Sequence, residues 1–164
     1  GPMKTLILMR HAKSSWKDPE ITDHERPLNK RGEKDAPKMG KLLKEHHLCP
    51  ERIFSSSALR ASQTADAVAA KCDYKEEIAY LDELYLAEPQ AYLDLLINLP
   101  DEMERVLIVG HNPGLEGLLQ ILSGAVNPLP TAAVAVLHLP IRTWKALTPN
   151  IEAELAHYWR PKSD

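Results

Sequence analysis

The sequence predicts an α/β domain, a three-layer αβα sandwich built around a mainly parallel sheet. Three observations predict it. Short apolar runs of strand length recur, as in "LILM" after Thr5 and "VLIV" after Arg105. Segments of roughly 10–15 residues with apolar positions at helical spacing lie between them. Several runs also stop abruptly on polar residues, as strands do where they emerge at a sheet edge.

Each element has its own justification. Residues 4–9 are short, apolar and β-compatible, and predict the first strand. Residues 12–28 are polar, hold two prolines and predict a loop. "NKRGEKDAPKMGKLLKEHH" places Met39, Leu42 and Leu43 on one side, a helix in which Pro37 requires a first-turn position or a kink. "ERIFSSS" predicts a second strand running into serines, one of which is a natural N-cap for the helix "ALRASQTADAVAAKC". A brief strand is expected around Ile78–Leu81, then a helix opened by Pro89. "RVLIVG" is a strand leading through "HNPG" into "LEGLLQILSG", a helix closed by Gly124. "AAVAVLHL" and "EAELAHYW" complete the sheet, the last as an edge strand.

Composition narrows the class. At 164 residues and 44% hydrophobic, the chain predicts one domain over residues 3–164 with a real core; Gly1-Pro2 before Met3 resembles a tag remnant. A net charge of −3 argues against a nucleic-acid-coating protein. With neither an apolar run of membrane-spanning length nor a basic leader, the expectation is a cytoplasmic monomer that uses no membrane. Cys49 and Cys72 have no CxxC spacing, so two reduced thiols are expected rather than a metal knuckle or redox pair.

In a parallel sheet the crevice at the carboxyl ends of the strands receives ligands. Three predicted strands stop there: Met9 before Arg10-His11, Phe54 before the serines and Arg60, and Val109 before Gly110-His111. Arg10 and Arg60 offer guanidinium forks suited to a tetrahedral oxyanion, and the helix after "HNPG" adds backbone N–H groups. Cations disfavour a protonated imidazole, so a histidine between two arginines stays neutral and can attack phosphorus. This is a phosphate site that calls for neither a metal nor a cofactor.

The motifs that carry these residues resemble those of the histidine phosphatase superfamily, branch 1. "LILMRHAKSSWK" is similar to its RHG signature. "RPLNKRGEKDA", "FSSSALRASQTA" and "VLIVGHNPGLEGLL" are similar to its following segments, in family order from Thr5 to about Leu122. The compact length suggests the SixA-like phosphohistidine phosphatases. The resemblance implies a phosphoglycerate mutase-like fold with a minimal cap. It also implies that His11 is the nucleophile and that Arg10, Arg60 and His111 hold the phosphoryl oxygens; Ser14, with its hydroxyl, and Asn112 are further candidates for binding phosphate. Glu83, in "LDELY", stands where the family often carries its proton donor, with Asp82, Glu88 and Glu116 as rivals. Lys17 and Arg26 are candidates for the substrate rim. Ala12, Lys13 and Lys17 depart from the usual glycine, glutamate and asparagine. His24 is near enough in sequence to border the site; His46, His47, His138 and His157 read as structural.

The expected activity is dephosphorylation of a phosphorylated protein side chain, phosphohistidine first, since only about twenty residues separate the third strand from "RVLIVG" and leave no room for a large cap. A phosphomonoesterase for a small sugar or nucleotide phosphate is the alternative within enzymes. A non-catalytic phosphopeptide-binding module is the alternative outside them, although it has no need of both histidines. A mutase requires water exclusion that so short a chain is poorly equipped to provide. A metal-dependent hydrolase finds no HxH or HExxH motif.

Overall fold

The computed structural model describes residues 3–162; the expected tag remnant at residues 1 and 2 lies outside them. A six-stranded sheet runs in the order β3-β2-β4-β1-β5-β6. Its strands are β1 (Lys4–Arg10), β2 (Arg52–Ser56), β3 (Ala79–Leu81), β4 (Arg105–Gly110), β5 (Val134–Leu139) and β6 (Glu154–Trp159). The β3-β2-β4-β1 portion is parallel, and β5 and β6 add antiparallel pairs at one side. The helices are α1 (Lys30–Glu45), α2 (Leu59–Lys71), α3 (Pro89–Leu96) and α4 (Gly114–Ser123). The predicted α/β architecture is therefore the observed one, and β6 is the expected edge strand.

Alternating side chains on the central strands build a core on each face. Leu6 and Leu8 of β1, with Val106 and Ile108 of β4, join residues of α3 and α4. Ile7 and Met9, with Leu107 and Val109, join residues of α1 and α2. All eight are fully buried, each contributing roughly 1.5–3 kcal/mol. Burial on both faces explains why these strands are continuous apolar runs rather than alternating ones.

Local chemistry sets the helix ends. The Asn29 side chain caps α1 by accepting from Gly32 N, and Gly124 closes α4 in the left-handed region at φ 76°. Pro37 lies inside α1, beyond the first turn. At α2 the N-cap is Ala58 rather than a serine; Ser56 Oγ instead accepts from Ala58 N at 3.1 Å. The 12–28 segment is more ordered than a plain loop. It contains a 3-10 turn over Asp23–Glu25 and a β-bridge between Ser14 and Leu28.

The expectation of reduced thiols is overturned: Cys49 and Cys72 form a disulfide with Cα atoms 5.6 Å apart. The reason is topological. Helices α1 and α2 each follow a strand of the parallel portion, so they run alongside one another and finish together. Cys49 follows α1 and Cys72 caps the end of α2. Among the described residues, no helix is long and apolar enough to cross a membrane.

Candidate active site

Register brings the histidines together. Arg10 of β1 pairs with Gly110 of β4, so the next residue of each strand, His11 and His111, emerges at the same sheet edge. His11 N donates to Gly110 O at 3.0 Å, and the two imidazole centroids stand 5.1 Å apart. Gly110 is required by crowding: a Cβ there would lie 2.3 Å from the Tyr92 hydroxyl. Arg60 reaches the same place from the first turn of α2. A cleft of about 410 Å³ at this edge is lined by Arg10, His11, Arg60 and His111, with Ser14, Arg26 and Asn112 also on its walls.

His11 is 7% exposed, and its Nδ1 lies 2.7 Å from Ala12 O. A carbonyl only accepts, so Nδ1 carries the proton and Nε2 keeps its lone pair. Ala12 is itself fixed, its N–H donating to Thr64 Oγ1 at 2.9 Å. Burial pushes the His11 pKa from 6.5 down to about 4, opposed by the Ala12 carbonyl and helped by Arg60, Arg10 and Arg26. At neutral pH His11 is an uncharged imidazole whose Nε2 lone pair is oriented and available.

His111 is 2% exposed, and burial, then His11 and Arg60, push its pKa to about 3. Its Nε2 meets Ser56 Oγ at 2.7 Å. That hydroxyl accepts from Ala58 N, and among the described residues the acceptor within reach of its own proton is Nε2, which takes that hydrogen bond. The His111 proton then resides on Nδ1, a buried atom without a protein partner among the described residues. Arg10 Nε and Arg60 Nε are likewise buried and unpartnered. Such donors, spared by the protein itself, suit an oxyanion.

Other predicted residues fall into place differently. Ser14 Oγ accepts from Arg26 at 2.6 Å. Arg26 is buried rather than a surface arginine, bonding to Asp23 Oδ1 at 3.1 Å and lying 3.5 Å from the Trp16 ring centroid. Asn112 lines the cleft, but its amide donates to Glu116 Oε2 and Leu129 O, both at 2.8 Å. Both amide hydrogens are thereby taken, so Asn112 braces the segment whose Leu129 carbonyl also accepts from Arg10 at 3.2 Å. Lys17 is exposed and lines a neighbouring groove with Lys30 and Arg31, whereas Lys13 lines the cleft. His24 bonds Ser57 Oγ at 2.9 Å at the border of the site.

Glu83 does not join the cleft lining. It is exposed in the 3-10 turn after β3, as is Asp82; Glu88 is exposed before α3. The carboxylate that reaches the cleft is Asp23, which the sequence reading did not single out. It bonds the Tyr85 hydroxyl, the Arg60 side chain at 3.0 Å and Arg26. The Tyr85 hydrogen bond, then those from the guanidinium groups, hold its pKa down at about 2. Its only sequence signal is its position three residues before Arg26. Among the described residues, no cluster of three or more His, Cys, Asp or Glu could hold a metal ion.

Comparison with known proteins gives the family. The profile of the histidine phosphatase superfamily (branch 1) matches residues 6–86. The chain is similar to a protein assigned as the phosphohistidine phosphatase SixA of Agrobacterium tumefaciens, with TM-score 0.83, 30% identity, and 98% and 99% of the two chains covered. It is also similar to the corresponding assigned SixA protein of Nakamurella multipartitia, with TM-score 0.85, 26% identity and 99% of each chain covered. An uncharacterized chloroplastic protein of Arabidopsis thaliana is 33% identical over 152 residues, 87% of this chain and 69% of that protein. The chain belongs to the histidine phosphatase superfamily (branch 1), resembles its SixA-like members, and is a phosphatase.

Proposed function

We propose that this phosphatase removes the phosphoryl group from phosphohistidine side chains of proteins, through a phosphohistidine intermediate on His11. The observation that carries the substrate preference is the state of Asp23. This cleft carboxylate is held ionised and engaged by Tyr85, Arg60 and Arg26, so it has no proton to give a leaving group. An alkoxide leaving group needs that proton, whereas a phosphorylated imidazole can carry its own on the other ring nitrogen.

In the first step the lone pair of His11 Nε2 attacks phosphorus. The substrate N–P bond breaks, its electron pair returns to the substrate nitrogen, and a neutral imidazole departs with its N–H intact. The Ala12 carbonyl supports the charge that the His11 ring acquires, and Arg10, Arg60 and His111 Nδ1 neutralise the phosphoryl oxygens as charge spreads over them. Water then attacks the phosphorus carried on His11 Nε2. As the O–P bond forms, the N–P bond breaks and its electron pair returns to Nε2; both water protons leave with the released phosphate, and neutral His11 is restored.

The test compares a phosphohistidine peptide with a panel of phosphate esters and traps radiolabel on the enzyme during turnover. The expected result is label on His11 that is lost in His11→Ala together with turnover, and a higher kcat/KM for the phosphohistidine peptide. Wild-type rates in His11→Ala would overturn the nucleophile, and a preference for an ester would overturn the substrate.

A further inference from the structure

The mouth of the cleft is chemically unlike its floor. Beneath lie guanidinium groups and imidazoles; at the rim stand Trp16, 77% exposed, and Leu86, 55% exposed, both part of the cleft lining. Large apolar side chains left in water beside a buried cationic floor call for an occupant. They come from different loops, Trp16 from the segment after β1 and Leu86 from the turn after β3.

Each is held in place. The Arg26 guanidinium lies 3.5 Å from the Trp16 ring centroid, and Arg26 is in turn fixed by Ser14, the Ser15 carbonyl and Asp23. One face of the indole is thus covered by a buried cation, and its high exposure leaves the other open. Leu86 sits in the left-handed region at φ 50°, which a bulky side chain rarely adopts. Its neighbours enforce this. Leu84 is fully buried, Tyr85 bonds Asp23, and the Ala87 carbonyl presses on α4 so closely that a Cβ on Gly114 would lie 1.9 Å from it. Strain that presents an apolar side chain to solvent at a site has a functional explanation sooner than a structural one.

We infer that Trp16 and Leu86 grip the ring of the leaving group, so that the mouth reads a planar imidazole rather than an aliphatic chain. This rests on the phosphohistidine reading above. In-line displacement by His11 directs the leaving group away from the buried floor, outward to the rim. A protonated imidazole there meets the electron-rich indole face, which favours it both as a ring and as a cation. The same contact keeps the proton on the substrate ring until the N–P bond has broken.

The test uses two peptides of identical flanking sequence, one with phosphohistidine and one with phosphoserine, and reads the ratio of their kcat/KM values. Trp16→Ala is expected to lower the phosphohistidine-to-phosphoserine ratio about 5- to 20-fold, and Trp16→Phe to lower it less than Trp16→Leu. Leu86→Gly is expected to lower the ratio while leaving the thermal midpoint at or above that of the wild type, because glycine relieves the left-handed strain. An unchanged ratio in Trp16→Ala and Leu86→Gly, with the wild-type chain active on phosphohistidine, overturns the ring grip alone. Failure of the wild-type chain to turn over the phosphohistidine peptide overturns the underlying reading as well.

Discussion

Arg60 shows how one side chain serves several tasks. Its terminal nitrogens hold Asp23 at 2.7 Å (carbonyl) and 3.0 Å (carboxylate), while its buried Nε has no partner among the described residues. Arg60→Ala is expected to lower kcat about 10²- to 10³-fold, as loss of other oxyanion donors does, with steady-state kinetics as the check. His11 makes a second expectation. Its folded pKa lies below the ordinary 6.5, at about 4, so its neutral form persists as pH falls and is lost only through that lower value. Ring nitrogen chemical shifts followed by NMR should show the Nδ1–H tautomer down to about pH 4; protonation near 6.5 would contradict the buried, cation-flanked setting. The pair Arg10-His11 was legible in the sequence because a strand-length apolar run ended on it. Asp23 was not, since the aperiodic segment around it gains its shape from Arg26 and the Ser14–Leu28 bridge. Glu83 stands outside the cleft lining, a placement that motif spacing does not reveal for a residue in a 3-10 turn.

At the scale of elements, α1 is fastened to the segment that follows His11. Asn29 N donates to Lys13 O at 3.0 Å, and a Cβ on Gly32 would lie 2.1 Å from the same oxygen. Backbone cannot swing aside as a flexible side-chain tip can. Gly32→Ala is therefore expected to cost roughly 1–3 kcal/mol and to lower turnover by shifting the chain next to Ala12, measured by chemical denaturation and kinetics on the same sample. The elements themselves were largely readable: β1 and β4 from apolar runs, α4 from its closing glycine, α3 from its opening proline. The α2 cap was not, because three successive serines offered several equivalent starts and only the Ser56 contact with Ala58 and His111 selects among their roles.

Across the whole molecule, the site and the disulfide occupy opposite ends. The cleft lies at the carboxyl edge of the parallel strands, and the Cys49–Cys72 bridge lies where α1 and α2 finish. The bridge closes a sequence separation of 23 residues. Its removal in Cys49→Ser/Cys72→Ser is expected to cost about 3 kcal/mol, a fall in Tm of roughly 6–12 °C by calorimetry, with kcat/KM unchanged. Cysteine spacing alone could not announce this bond, because it depends on two helices ending side by side. The pairing of Arg10 with Gly110 has a wider consequence. Arg10 and the two cleft imidazoles stand at the ends of strands in the stiff middle of the sheet, whereas the exposed Trp16 and Leu86 ride on connecting turns. A change in those turns can therefore reshape the entrance while the paired imidazoles behind it keep their spacing.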